Sequence, residues 1–306
     1  MGTPDFSVPV LRDLLNEGYD VVAVVTQPDR PRGRGRKVRS SPVKQMALET
    51  GINILQPQKA WDRQFLDHIY SLAPDLLVVV AFGQILKKEL LEGARWGGLN
   101  IHASLLPKYR GPAPIHWAIL KNETRTGLTA MRMDVGLDTG PILLQEEVPI
   151  HEEETAGQLH DRLARLSGGF LVKTLRDLAK GSLEEIPQDE DKATYAPKID
   201  RTMSLIKWDK PASDISSLIR ALDPWPGACT TFNGKKIKFF LSKVKKEQVR
   251  NTLPGRISGY GEGTLEVETA NGLIQVGELQ VSGKRRLKAR EFLMGFPLEK
   301  GAILGR

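Results

Sequence analysis

Cysteine is nearly missing: Cys229 is the only one in 306 residues. That excludes an internal disulfide framework and any zinc site built on cysteines alone. Long apolar runs are missing too, since none approaches the roughly 18 residues a membrane-crossing helix needs. The opening MGTPDFSVPVLRDLL has neither the basic n-region nor the apolar h-region of a secretory signal, so a soluble, cytosolic protein is expected. The glycine signatures of nucleotide chemistry are not there. No G-x-G-x-x-G or Walker A motif occurs, and GRGRK lacks the required G-K-[ST] ending. No serine sits in a G-x-S-x-G elbow, and neither His102 nor His116 has metal-ligand spacing, so no metal is expected.

What is present suits a folded enzyme. Apolar residues make up 40% and charged residues 26%, enough for a real core. At about 100–200 residues per domain, 306 residues read as two domains. The net charge of +7 is unevenly spread. Residues 201–306 hold 19 Lys and Arg against 10 Asp and Glu, whereas residues 1–200 hold 25 against 27. Within that first part, Pro28–Lys44 carries seven basic residues and only Asp29 as an acid. A tight basic loop and a basic C-terminal third form the footprint of a nucleic-acid binder, or simply a solvated basic face.

Short β-branched runs at Val21–Thr26, Leu76–Phe82 and Leu99–Ala103 alternate with the helical patterns Val8–Glu17 and Trp61–Leu72. Val10, Leu11, Leu14 and Leu15 share one face of the first helix. Trp61, Phe65, Ile69 and Leu72 share one face of the second. Continuous apolar strands separated by helices predict an α/β domain, with a Rossmann-like, doubly wound, mostly parallel sheet. Thr129–Met133 and Ile142–Val148 read as further strands and Thr155–Lys180 as a long helix. The catalytic domain is therefore expected over residues 1–181. The polar, proline-bearing stretch 182–205 reads as a linker. From 206 to 306, a short helix near Pro211–Leu222 precedes about five short strands with turns at Asn233-Gly234 and Asn271-Gly272. That pattern predicts a small OB-like β-barrel.

The densest polar cluster is Asn100-Ile101-His102 followed by the proline-stiffened loop LLPKYRGPAP. Asn100 and His102 are two apart on a strand and point to the same side, at the carboxyl end where parallel sheets bind ligands. Asp134 and Asp138 lie on a later turn, DVGLDTG. Asn, His and Asp meeting at one cleft would supply an oxyanion donor, an electrostatic partner and a proton acceptor, a set suited to acyl transfer. Taken alone, an N-x-H at a strand end is more often a satisfied polar pair than a catalytic one, the GLDTG loop is a tight turn capped by Asp, and spacing does not name the reaction.

In order along the chain, GTPDFSVPVL, TQPDRPRGRGRK, VVVAFGQIL, NIHASLLPKYRGPAPIHWAI, MDVGLDTGPIL and TYAPKI resemble segments of the 10-formyltetrahydrofolate-dependent formyltransferases. The resemblance runs essentially end to end. The N-x-H, SLLP and Asp arrangement is common to several such enzymes. The PDRPRGRGRK loop and the basic region beyond Asp223-Pro224-Trp225-Pro226 resemble the methionyl-tRNA formyltransferase family in particular. The resemblance implies that Asn100, His102 and Asp138 are catalytic. It implies that Ser104, Leu105, Leu106 and Pro107 bind tetrahydrofolate, and that Phe82, Gly83, Ile85, Leu86 and Asp134 wall the pterin pocket. Arg32, Arg34, Arg36 and Lys37 would meet the tRNA acceptor end. The implied co-substrate is 10-formyltetrahydrofolate and the implied partner is initiator methionyl-tRNA; a monomer is expected because the tRNA is itself the large partner. A hydrolase, or a transferase acting on a small amine, would have little use for the basic loop. A non-catalytic RNA binder is opposed by the intact Asn100, His102 and Asp138. One departure stands out: that family carries a short apolar strand ahead of GTPDF. Without it, neighbouring strand edges of the sheet are expected to lack partners.

Overall fold

The computed structural model describes residues 1–32, 37–247, 249 and 251–305. The chain forms two compact units. The first comprises residues 1–112, 126–148 and 160–196, and the second comprises 113–125, 149–159 and 197–306. In chain order the helices are α1 (Val8–Asn16), α2 (Pro42–Thr50), α3 (Arg63–Leu72), α4 (Lys88–Glu92), α5 (Pro114–Leu120), α6 (Ala156–Ala179), α7 (Ala212–Ala221) and α8 (Ala289–Gly295). The first eight strands are β1 (Val24–Val25), β2 (Arg30–Arg32), β3 (Lys37–Arg39), β4 (Ile54–Leu55), β5 (Leu77–Val79), β6 (Gly98–His102), β7 (Arg125–Arg132) and β8 (Ile142–Pro149).

In the first unit, β1 pairs in parallel with β4 and β5 in parallel with β6. β7 then runs antiparallel to β6 and neighbours β8. The helices start and stop where their ends are satisfied. Ser41 caps α2 by accepting from the Lys44 N–H at 3.0 Å, Pro42 takes the first helical position, and Gly51 ends the helix at φ +70°. Asp62 precedes α3 in extended conformation, so Trp61 lies outside the helix, 40% exposed, with Lys87 5.2 Å over its ring. Phe65, Leu66 and Ile69 of α3 pack with Val25, Leu77, Val79, Phe82 and Leu90. Each such burial stabilises by about 1.5–3 kcal/mol.

Only Val24 and Val25 of the expected strand Val21–Thr26 are strand. The reason lies on the other edge. Met1 and Gly2 lie between Val25 and Val78–Val80: Gly2 N–H donates to Val25 O (2.9 Å), Val80 N–H donates to Met1 O (2.9 Å), and the Met1 ammonium donates to Val78 O (2.6 Å). Among the described residues, Val21–Ala23 make no strand pairing. A cavity of about 740 Å³ opens beside them, lined by apolar groups including Leu11, Leu14, Val21, Ile69, Leu76 and Leu175. Burial of the Met1 amine pushes its pKa down from 8.0 to about 5.

The second unit holds β9 (Cys229–Phe232), β10 (Lys235–Glu247), β11 (Ile257–Gly261), β12 (Thr264–Glu268), β13 (Gly272–Val281) and β14 (Leu287–Lys288). They form an antiparallel sheet in the order β11-β12-β13-β10-β9, with β14 beside β13. Among the described residues no pairing joins the two edge strands, so the expected barrel is not closed. β10 runs on to Glu247 because β13 pairs with it that far, past a bulge at Val244–Lys246. Its core gathers Trp208, Ile215, Ile219, Ile237, Phe239, Val267, Ile274 and Phe292. Cys229 is buried there, 2% exposed, with its carbonyl accepting from Ile206 N–H.

Candidate active site

Asn100 and His102 stand on β6, where Asn100 faces Met131 and His102 faces Thr129 across the antiparallel pairing with β7. Both are buried, at 8% and 6% exposure. The loop after β7 returns Asp138 to them. Asn100 Nδ2 donates to Asp138 Oδ1 at 3.3 Å, and His102 Nδ1 lies 3.6 Å from Asp138 Oδ2. Nε2 of His102 is 2.9 Å from Tyr109 O. A carbonyl only accepts, so Nε2 carries the hydrogen on that side and Nδ1 is the nitrogen turned to the carboxylate. Gly111 N–H donates to Asp138 Oδ2 at 2.8 Å. The three residues that spacing alone left unconnected thus meet at one point.

Local backbone chemistry makes this possible. Asp138 adopts φ +56°, a left-handed conformation that Asp and Asn tolerate better than most residues, at roughly 1–2 kcal/mol. Gly111 has φ +108°, and a Cβ there would sit 2.5 Å from the Tyr195 ring, so only glycine lets its N–H reach Asp138. Asp134 does not join the cluster. Its carboxylate accepts from Gly136 N–H (3.0 Å) and Thr139 Oγ1 (2.8 Å), folding the DVGLDTG turn on itself.

The remaining sequence-predicted residues divide sharply. Ser104 is fully buried and its hydroxyl donates to Lys108 O at 2.6 Å. Leu106 is buried against Met131 and Ile142, with its N–H on Thr129 Oγ1 and its carbonyl accepting from Gln145. Leu105 is partly exposed, and Pro107 is partly exposed with its carbonyl accepting from Thr194 N–H. Phe82 and Leu86 are core residues, while Gly83 (φ +84°) and Ile85 (69% exposed) face solvent. Val135 and Leu137 are likewise exposed on the Asp138 loop. Arg32 and Lys37 pair at the tip of the β2–β3 ribbon; Arg34 and Arg36 lie outside the described residues. Lys44, counted with the basic stretch, is bound to Asp29 at 2.6 Å.

Sequence reasoning missed the supports. Residues 184–196, read as part of a linker, hydrogen-bond along the first unit: Ile186 pairs with Ile142, and Arg110 exchanges backbone bonds with Thr194 and Ala196. Gln188 and Glu190 bring side chains toward the site from this segment. Their only sequence signal is TYAPKI at its end.

Comparison with known proteins decides the family. The formyl transferase family profile matches residues 1–175, and the formyl transferase C-terminal domain profile matches residues 198–297. The chain is 48% identical to the methionyl-tRNA formyltransferase of Pelotomaculum thermopropionicum and 47% identical to that of Alkaliphilus metalliredigens. In both cases it aligns over 100% of its own length and 97% of the relative's. The chain belongs to the methionyl-tRNA formyltransferase family. In fold it is similar to the N-formyltransferase from Helicobacter canadensis in complex with folinic acid and dTDP-3-aminofucose. The TM-score is 0.68 at 22% identity, over 90% of this chain and 96% of that one.

Within this formyltransferase, the second unit's charge is partly spent internally. Arg256 is bonded to Glu268, Lys245 to Glu266, and Arg286 to both Asp223 and Glu278. Arg220 is buried, donates to Glu154 O and Ser217, and has its pKa lowered by that burial. Lys235, Lys236, Lys246, Lys284, Arg285 and Lys288 stay exposed. No helix among the described residues is long and apolar enough to cross a membrane, and none of their His, Cys, Asp and Glu side chains group as a metal site.

Proposed function

We propose that this chain transfers the formyl group of 10-formyltetrahydrofolate to the α-amine of initiator methionyl-tRNA, as a monomer in the cytoplasm. The observation that carries the reading is the convergence of Asn100, His102 and Asp138 at the carboxyl end of β6, in a chain of this family. The donor set fits the co-substrate. β5 and β6 are parallel, so the segment holding Ile85 leaves the sheet at the same end as Asn100 and His102. Exposed Ile85, Val135 and Leu137 offer apolar walls for a flat heterocycle beside polar groups aimed at its formyl substituent.

During attack by the amine, negative charge gathers on the formyl oxygen. In this reading Asn100 Nδ2, an amide that spends one of its two N–H groups on Asp138, is the donor that stabilises it, such a donor contributing about 3 kcal/mol to lowering the barrier, while His102, held between Tyr109 O and Asp138, acts as an electrostatic partner. Asp138, with His102 Nδ1 3.6 Å from its carboxylate, accepts the amine proton; the adduct then collapses by breaking the bond between the formyl carbon and N10, and N10 takes up that proton as tetrahydrofolate leaves. The basic stretch Pro28–Lys44, with Arg32, Arg34, Arg36 and Lys37, and the exposed cations of the second unit meet the phosphates of the tRNA. The test is transfer of labelled formyl from 10-formyltetrahydrofolate to initiator Met-tRNA, elongator Met-tRNA or water. Rapid formylation of the initiator alone is expected. Formate release without aminoacyl formylation would make the chain a hydrolase and overturn the reading.

A further inference from the structure

The side chain of Gln188 ties the Asp138 loop to Arg110. Its Nε2 donates to Asp138 O and to Gly140 O, both at 2.8 Å, bridging the two carbonyls that flank the end of the turn. Its Oε1 accepts from Arg110 Nε at 3.0 Å. Because a guanidinium only donates and the carbonyls only accept, the amide can sit only one way round. Arg110, whose side chain is 10% exposed, is held in turn by a two-pronged contact with Glu190: Nη1 at 2.9 Å and Nη2 at 2.7 Å. That contact raises the Arg110 pKa and lowers the Glu190 pKa. Backbone crowding helps define the loop: a Cβ on Gly140 would lie 1.9 Å from Arg132 O.

Residues 109–111 make the arrangement a single device. The Tyr109 carbonyl accepts from His102, the Arg110 side chain fixes Gln188, and the Gly111 N–H binds the Asp138 carboxylate. One tripeptide therefore orients the imidazole, the amide staple and the carboxylate together. We propose that Gln188, locked by the Arg110–Glu190 pair, is a positioning residue that holds Asp138 in its left-handed conformation with its carboxylate toward Asn100 and His102. The role rests on the assignment of Asp138 as proton acceptor. Without the two amide bonds the Asp138 and Gly140 carbonyls lose their partner, and the φ of +56° loses the restraint that offsets its cost.

The test compares Gln188→Leu, Gln188→Glu and Glu190→Gln with the parent protein in formyl transfer, alongside Asp138→Asn. Gln188→Leu keeps the size and removes the amide. It should lower kcat about tenfold or more, with KM for both substrates within about twofold and an altered pH profile of kcat. Gln188→Glu sets a carboxylate against two carbonyls and should lose at least as much. Glu190→Gln loosens Arg110 without touching the loop and should fall between Gln188→Leu and the parent, so it carries the test should either Gln188 variant fail to fold. A kcat within twofold of the parent and an unmoved pH profile in folded Gln188→Leu would overturn the positioning role while leaving Asp138 in place. Retained turnover in Asp138→Asn would overturn the Asp138 assignment, and the role of Gln188 with it.

Discussion

Asp138 is restrained from four directions: by Gly111 and Asn100 at its carboxylate, by His102 opposite, and by Gln188 at its carbonyl. Replacing it with Asn keeps the shape and the tolerance for positive φ, so the protein should fold unchanged. An amide cannot accept the amine proton, and single-turnover formylation of Asp138→Asn should fall by about 10²–10⁴-fold. Filter binding of Met-tRNA should be unaltered, which separates lost chemistry from lost recognition. At this scale the sequence was partly legible. Asn100 and His102 could be placed on one face of a strand because LNIHA reads as a strand and side chains alternate. Gln188 could not, because SLEEIPQDED has the composition of a solvated connector, and nothing local marks which of its polar groups meets the Asp138 turn.

The strands show what propensity alone misses. VVAVVT has the composition of a full strand, yet only Val24 and Val25 take part in pairing, with Ile54 and Leu55 on one side and Gly2 on the other. Pairing needs a neighbour, which a residue-by-residue reading cannot supply. β7 also reads like its parallel neighbours but runs antiparallel to β6, since direction follows from the path of the chain rather than from residue type.

At the scale of the molecule, the basic third was visible from counting charges, but the count overstates what a polyanion can meet. Lys245, Arg256 and Arg286 are engaged by acids of their own unit, and Arg220 is buried. Under the proposed function the basic stretch Pro28–Lys44 then carries more of the tRNA recognition than its length suggests. Arg34→Ala should raise the KM for Met-tRNA several-fold, leave the affinity for folate unchanged and flatten the dependence of tRNA binding on salt by about one unit of slope. An unchanged KM for tRNA would remove Arg34 from the interface. The sequence has a single thiol, and the fold closes it inside the sheet of the second unit, at the start of β9. A thiol reagent can reach Cys229 only when that sheet opens, so the rate of labelling in the unmodified protein clocks the opening of the second unit alone. The same clock, run with and without tRNA, would give the binding energy that this unit contributes, with no engineered probe.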